Sequence, residues 1–189
     1  MSYIILAILF LLSGFFMKVS DDFFDEMHDL KFASIFGVLC GLASAFATVN
    51  DVGAAYIFIA IPIGNFLALK IDGIHHIITL AIFIVICLIC GIPDLSLVVL
   101  LICVLAALSD EIGHETIHRV TDDTFLNLFF EYRFVMKIVI LLLALSGAFS
   151  IWVFVFFILN KLFCYYYWFY MIIMCFCCFI SKGCIQPFF

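Results

Sequence analysis

Long apolar stretches alternate along this chain with short polar breaks, and within each stretch the apolar residues occupy every side instead of one stripe. That pattern belongs to helices buried all round, in a protein core or in lipid. Seven stretches read as membrane spans: Tyr3–Met17, Phe32–Val49, Ala54–Leu69, Ile77–Ile92, Leu95–Leu108, Phe134–Leu159 and Leu162–Ile180. The fifth has 14 residues, too few for a hydrocarbon core of about 30 Å. It is therefore either extended through Ser109 to Gly113 or re-entrant, and the second choice leaves six spans. The expected fold is an all-α polytopic bundle of about seven transmembrane helices, one domain over residues 1–189.

Composition strengthens this picture. Hydrophobic residues make up 68% of the 189 positions and charged residues 12%, against roughly 25% charged in an ordinary soluble domain. The lipid bilayer is the expected surrounding. A net charge of −6 offers no basic surface for a phosphate backbone, so nucleic acid is excluded as a partner. The N-terminal run lacks a basic start and leads into Lys18 and a row of acids, so it reads as a span and not as a signal peptide.

Charge placement orients the bundle. With seven spans, residues 18–31, 70–76, 109–133 and those after 180 share one face. Lys18, Lys31, Lys70, Arg119, Arg133, Lys137 and Lys182 lie on or beside it, and only Lys161 on the other. The positive-inside rule makes the first face cytoplasmic and the N-terminus external, in a cell membrane. Tyr165, Tyr166, Tyr167, Trp168 and Tyr170 then fall at the outer interface, where aromatic belts are expected.

Polar residues concentrate in two similar segments. Ser20 to Glu26 is echoed by Ser109 to Glu115, and Asp29 to Phe32 by Glu131 to Phe134. Four spans separate the copies, which predicts a parallel internal repeat about an axis along the membrane normal. A helix over Asp21–Lys31 would put Asp22, Asp25, Glu26 and Asp29 at i, i+3, i+4 and i+7 on one stripe. Crowded carboxylates repel unless protons or cations neutralise them. The candidate metal-binding set is therefore Asp21, Asp22, Asp25, Glu26, Asp29, Asp110, Glu111, His114 and Glu115, and Mg²⁺ suits such oxygen ligands. The bland alternative is a solvated acidic face.

The run Asp21-Asp22-Phe23-Phe24-Asp25-Glu26-Met27-His28-Asp29 resembles the first aspartate-rich motif of the UbiA-type membrane prenyltransferases, with Asp21 in place of an Asn. Asp110-Glu111-Ile112-Gly113-His114 is similar to their second motif. The resemblance implies that Asp22, Asp25 and Asp29 form one Mg²⁺ set and Asp110 belongs to another, holding an isoprenoid diphosphate. Lys18 or Arg119 would then stabilise the departing charge. The basic, proline-containing stretch that follows the family's first motif is absent, and His114 stands where the family has an Asp.

A third chemistry is available. His114-Glu115-Thr116-Ile117-His118 fits H-E-x-x-H, the zinc-binding pattern of metalloproteases, with Zn²⁺ as the alternative cofactor and Asp72, His75 or His76 as available third ligands. Residues 70–76 join the third and fourth spans on the same face and could add a basic or metal-binding group to the acidic cluster, but they read first as a solvated turn. The nine cysteines read as small hydrophobes, Cys87 and Cys90 included. Three functional classes follow: a Mg²⁺-dependent enzyme acting on a prenyl diphosphate or related lipid, a cation- or proton-coupled transporter or ion-binding protein, and a non-catalytic membrane protein. The metalloprotease is a minor fourth. A transporter needs ionisable groups near the bilayer midplane, and the spans carry almost none.

Overall fold

The structure is a computed structural model that describes residues 1–70, 73–121 and 123–162, apart from the side chain of His118. Every regular element among them is a helix: α1 (Tyr3–Asp25), α2 (Leu30–Asn50), α3 (Val52–Leu67), α4 (Ile74–Cys90), α5 (Leu97–Val120), α6 (Thr124–Glu131), α7 (Phe134–Leu145) and α8 (Ile151–Leu162). Three of these, α1, α2 and the Leu97–Ile117 part of α5, are long and apolar enough to cross a membrane. The helices α3, α4, α7 and α8 are apolar but shorter.

Small residues let the helices approach. The face of α2 that carries Gly37, Gly41, Ser44, Ala45 and Thr48 is buried, and α2 packs on both α1 and α4. A Cβ on Gly41 would sit 2.7 Å from the Thr79 carbonyl oxygen, and one on Gly64 of α3 would sit 2.7 Å from Ala107 of α5. Close backbone contact through such residues is how helices associate in lipid, where apolar side chains gain little by leaving their surroundings. Ser44 and Thr48 return their hydroxyls to carbonyls one turn back, at 2.8 Å each. Phe10, Ile57, Cys103, Ile140 and Val153 form the fully buried centre.

Several expectations change. The fifth stretch takes the extended alternative: α5 runs on through Gly113 to Val120, which places Ser109–His118 on a helix. The sixth stretch, expected as one span over Phe134–Leu159, is two helices. Gly147 adopts φ +80°, and the Gly147 and Ala148 amides bond back to Ala144 and Leu143. This is a glycine-terminated helix end. At 12 residues each, α7 and α8 are about 18 Å long, less than a bilayer core.

The helix α8 therefore turns back. Its Trp152 ring lies beside that of Tyr3 at the start of α1, tilted by 41° with centroids 6.2 Å apart, and its Asn160 amide donates to the Phe10 carbonyl at 2.6 Å. It runs parallel to α1, so Asn160 and Lys161 point toward the end where α1, α3 and α5 finish. Asn160 stands level with Phe10 and Ser13, about halfway along α1, and Lys161 follows it. The expected helix over Asp21–Lys31 also breaks. Glu26 caps the end of α1, and Asp29 starts α2 by accepting from the amides of Lys31 and Phe32. Asp29 thus leaves the predicted acidic stripe. Its counterpart in the second copy, Glu131, is the last residue of α6, which has no equivalent in the first copy. The seventh stretch beyond Leu162, with its aromatic run and Cys164, Cys175, Cys177, Cys178 and Cys184, lies outside the described residues.

Candidate metal centre

The last turns of α1 stay helical past its apolar part, supported by a 2.6 Å ion pair between Lys18 and Asp22 one turn apart. One turn of this polar extension is tied to α2, because the buried Ser20 hydroxyl donates to the Ala33 carbonyl at 2.7 Å. Asp21 is thereby held at the rim of the bundle, facing the first turn of α4. Gly73 precedes that turn, and a Cβ there would strike the His75 ring. Its absence lets the imidazole fold back over the helix start.

His75 Nε2 lies 3.2 Å from Asp21 Oδ1, and His76 Nε2 lies 3.8 Å from the same oxygen. The two imidazoles pack with centroids 4.0 Å apart, and the Phe24 ring covers His75 at 4.4 Å. His75 is 2% exposed, while Asp21 and His76 are half-buried, so the group has a closed side and an open side. Among the described residues this is the one group of three or more His, Cys, Asp or Glu whose ligand atoms all lie within 4.8 Å of one another. Beside it opens a shallow cavity of about 260 Å³ lined by Phe24, Asp25, His28 and Leu30.

The reading of residues 70–76 as a solvated turn fails at His75. Its buried ring was hidden in the sequence by the break before α4, because only tertiary packing brings that break against the end of α1. Two adjacent histidines opening an apolar helix, on the same face as an aspartate closing another, were the usable signal.

The remaining predicted residues are placed as follows. Asp22 is buried against Lys18, and Asp25 and Glu26 are exposed. Asp110 is 2% exposed, and its two carboxylate oxygens accept from the backbone amides of Val135 and Met136, at 3.0 and 2.8 Å. It therefore caps α7 from the neighbouring helix. Glu111 pairs with Arg133 at 3.0 Å. On the outer turns of α5, Glu115 pairs with Lys70 at 2.8 Å, His114 lies 3.9 Å from Glu131, and Arg119 is exposed. Within the HExxH pattern, Glu115 is thus engaged by a lysine, and the His118 side chain lies outside the described residues. Cys40 and Cys103 are buried, and Cys87 and Cys90 sit at the far end of α4.

A single metal bound by imidazole nitrogen and carboxylate oxygen at about 2.0–2.2 Å in tetrahedral geometry holds its ligand atoms about 3.3–3.6 Å apart. The two imidazole–carboxylate separations, 3.2 and 3.8 Å, lie within a few tenths of an ångström of those edges, and all the ligand atoms lie within 4.8 Å of one another. No protein-family model matches this chain, and no curated protein or solved structure matches it either.

Proposed function

We propose that this chain is a multi-pass membrane protein that holds a divalent transition metal through Asp21, His75 and His76 at the cytoplasmic end of its bundle. The observation that carries the reading is the convergence of two imidazoles and one carboxylate, from helices far apart in sequence, around a common point. Imidazole donors favour zinc and its first-row neighbours, whereas Mg²⁺ prefers oxygen throughout. The orientation rests on the positive-inside rule, since Lys18, Lys31, Lys70, Arg119 and Arg133 lie at or beside the helix ends on this side. Three protein ligands leave a position for water or a substrate oxygen, which the metal would acidify or polarise.

Unfolding of the detergent-purified protein tests this. Metal that binds only the folded state adds about 2.7 kcal/mol of stability at a hundredfold excess over Kd. Zn²⁺ or Mn²⁺ is expected to raise the unfolding midpoint by several degrees, an effect of that size on a domain of this length. The rise should vanish in His75→Gln, persist in Asp25→Asn, and fade as acid protonates the imidazoles. An equal rise in His75→Gln refutes the site. A rise that instead requires Mg²⁺ together with geranylgeranyl diphosphate supports the prenyl-diphosphate reading in its place.

A further inference from the structure

The short helix α6 lies at the edge of the bundle, against α5 and the start of α7. None of its residues is buried, and Phe125, Leu126 and Leu128 are 72%, 39% and 48% exposed. Eight residues are too few to form a stable helix alone in water. Its conformation is nevertheless well specified. Asp123 caps it by accepting from the amides of Phe125 and Leu126, and the Phe130 ring lies over Gly113 of α5, where any Cβ would clash. The Phe130 ring on Gly113 and the approach of Glu131 to His114 hold α6 to α5, with Phe125, Leu128 and Phe129 at i, i+3 and i+4 forming a separate stripe.

That stripe leads onto α7. Phe129 stacks on Phe134 at 5.7 Å, and Phe134, Ile138 and Leu142 follow at four-residue intervals, 40%, 43% and 59% exposed. Where the two stripes meet, Lys137 lies over the Phe134 ring at 4.5 Å and reaches the Tyr132 carbonyl at 2.6 Å. A lysine whose stem follows an aromatic face to a polar group is the arrangement expected at a membrane–water boundary. The other end of α6 is closed by Thr121 and Asp123, which marks a polar edge.

We infer that α6 is an interfacial helix, bedded in the inner-leaflet boundary of the bilayer with Phe125, Leu128 and Phe129 toward the acyl chains. A lipid surface accounts for three features together: an exposed apolar stripe on a capped helix, its continuation along α7, and a lysine–aromatic pair at the junction. The inference does not depend on the metal centre.

The test uses the full chain in nanodiscs of zwitterionic phospholipid doped with a phospholipid carrying a diazirine near the carbonyl end of one acyl chain. After photolysis, peptide mass spectrometry should find lipid adducts on residues 124–131 with a yield within about threefold of that on residues 134–145, the adjoining apolar stripe. A yield on α6 lower by about tenfold or more overturns the inference, as does protection of Phe125 and Leu128 by cross-links to a second copy. In the Phe125→Asp, Leu128→Asp variant the α6 adducts should fall while those on α7 remain. Because the wild-type measurement stands alone, a variant that fails to fold leaves the inference fully tested.

Discussion

Replacing Asp110 with alanine is expected to lower the unfolding free energy in detergent by about 2–4 kcal/mol, the upper range for losing a helix cap whose acceptor is a buried charge. The effect follows from where α7 begins. Arg133 just before it adopts φ +51° and supplies no side-chain cap, so the first amides of α7 depend on a carboxylate from α5. Water cannot replace that acceptor at a site only 2% exposed. Asp110→Asn keeps one acceptor oxygen and should lose about half as much. Hydrogen exchange localises the effect: amides of Val135 and Met136 should exchange faster, while those of α2 stay unchanged. Uniform loosening of the whole bundle, or no change at all, would show that α7 is held in some other way.

The second large effect is expected at Gly37. This glycine sits where α2 passes between the end of α1 and the start of α4, and a Cβ on it would lie 2.7 Å from Thr79 Oγ1, 3.0 Å from the His75 carbonyl oxygen and 3.6 Å from Ser20 Oγ. None of these can yield easily. The Thr79 hydroxyl is bonded to the same His75 carbonyl at 2.9 Å, and Ser20 is bonded to Ala33. Gly37→Leu must therefore push α4 away from α1, and with it both imidazoles away from Asp21. Overpacking of this kind costs about 1–3 kcal/mol. Zinc affinity should fall by about tenfold or more, because ligands displaced by an ångström no longer share one ion. Gly37→Ala should show the same direction with a smaller size. The paired readouts matter: stability lost with zinc affinity intact would mean that α2 does not set the α1–α4 spacing.

Much of this molecule was legible in its sequence. The uninterrupted apolar runs announce helices, and the polar breaks mark most of their ends. The misreadings share a cause, which is that local chemistry near a helix end depends on what faces it. Gly147 falls inside the single apolar run read as the sixth span, yet its positive φ ends α7 and reverses the chain. Asp29 matched a helical stripe by spacing, but its carboxylate serves better as the cap of α2. Asp110 resembled a metal ligand on its own segment, and no rule of spacing could reveal that Val135 and Met136 would present their amides to it. The histidine pair was visible as a source of ligands, but its pairing with Asp21 was not, since Asp21 is 54 positions away from His75. Sequence located the acidic end of the bundle, and packing brings Asp21, His75 and His76 together there.

That selection makes the metal centre the claim to test first. The most direct measurement is X-ray absorption at the zinc edge on detergent-purified protein loaded with Zn²⁺ and washed, with metal content determined on the same sample. One tightly held zinc per chain is predicted, in a shell of two imidazoles and oxygen at about 2.0–2.2 Å, lost from His75→Gln and from Asp21→Asn. A shell of oxygen alone, or equal zinc retained by wild type and His75→Gln, would contradict a centre built from Asp21, His75 and His76.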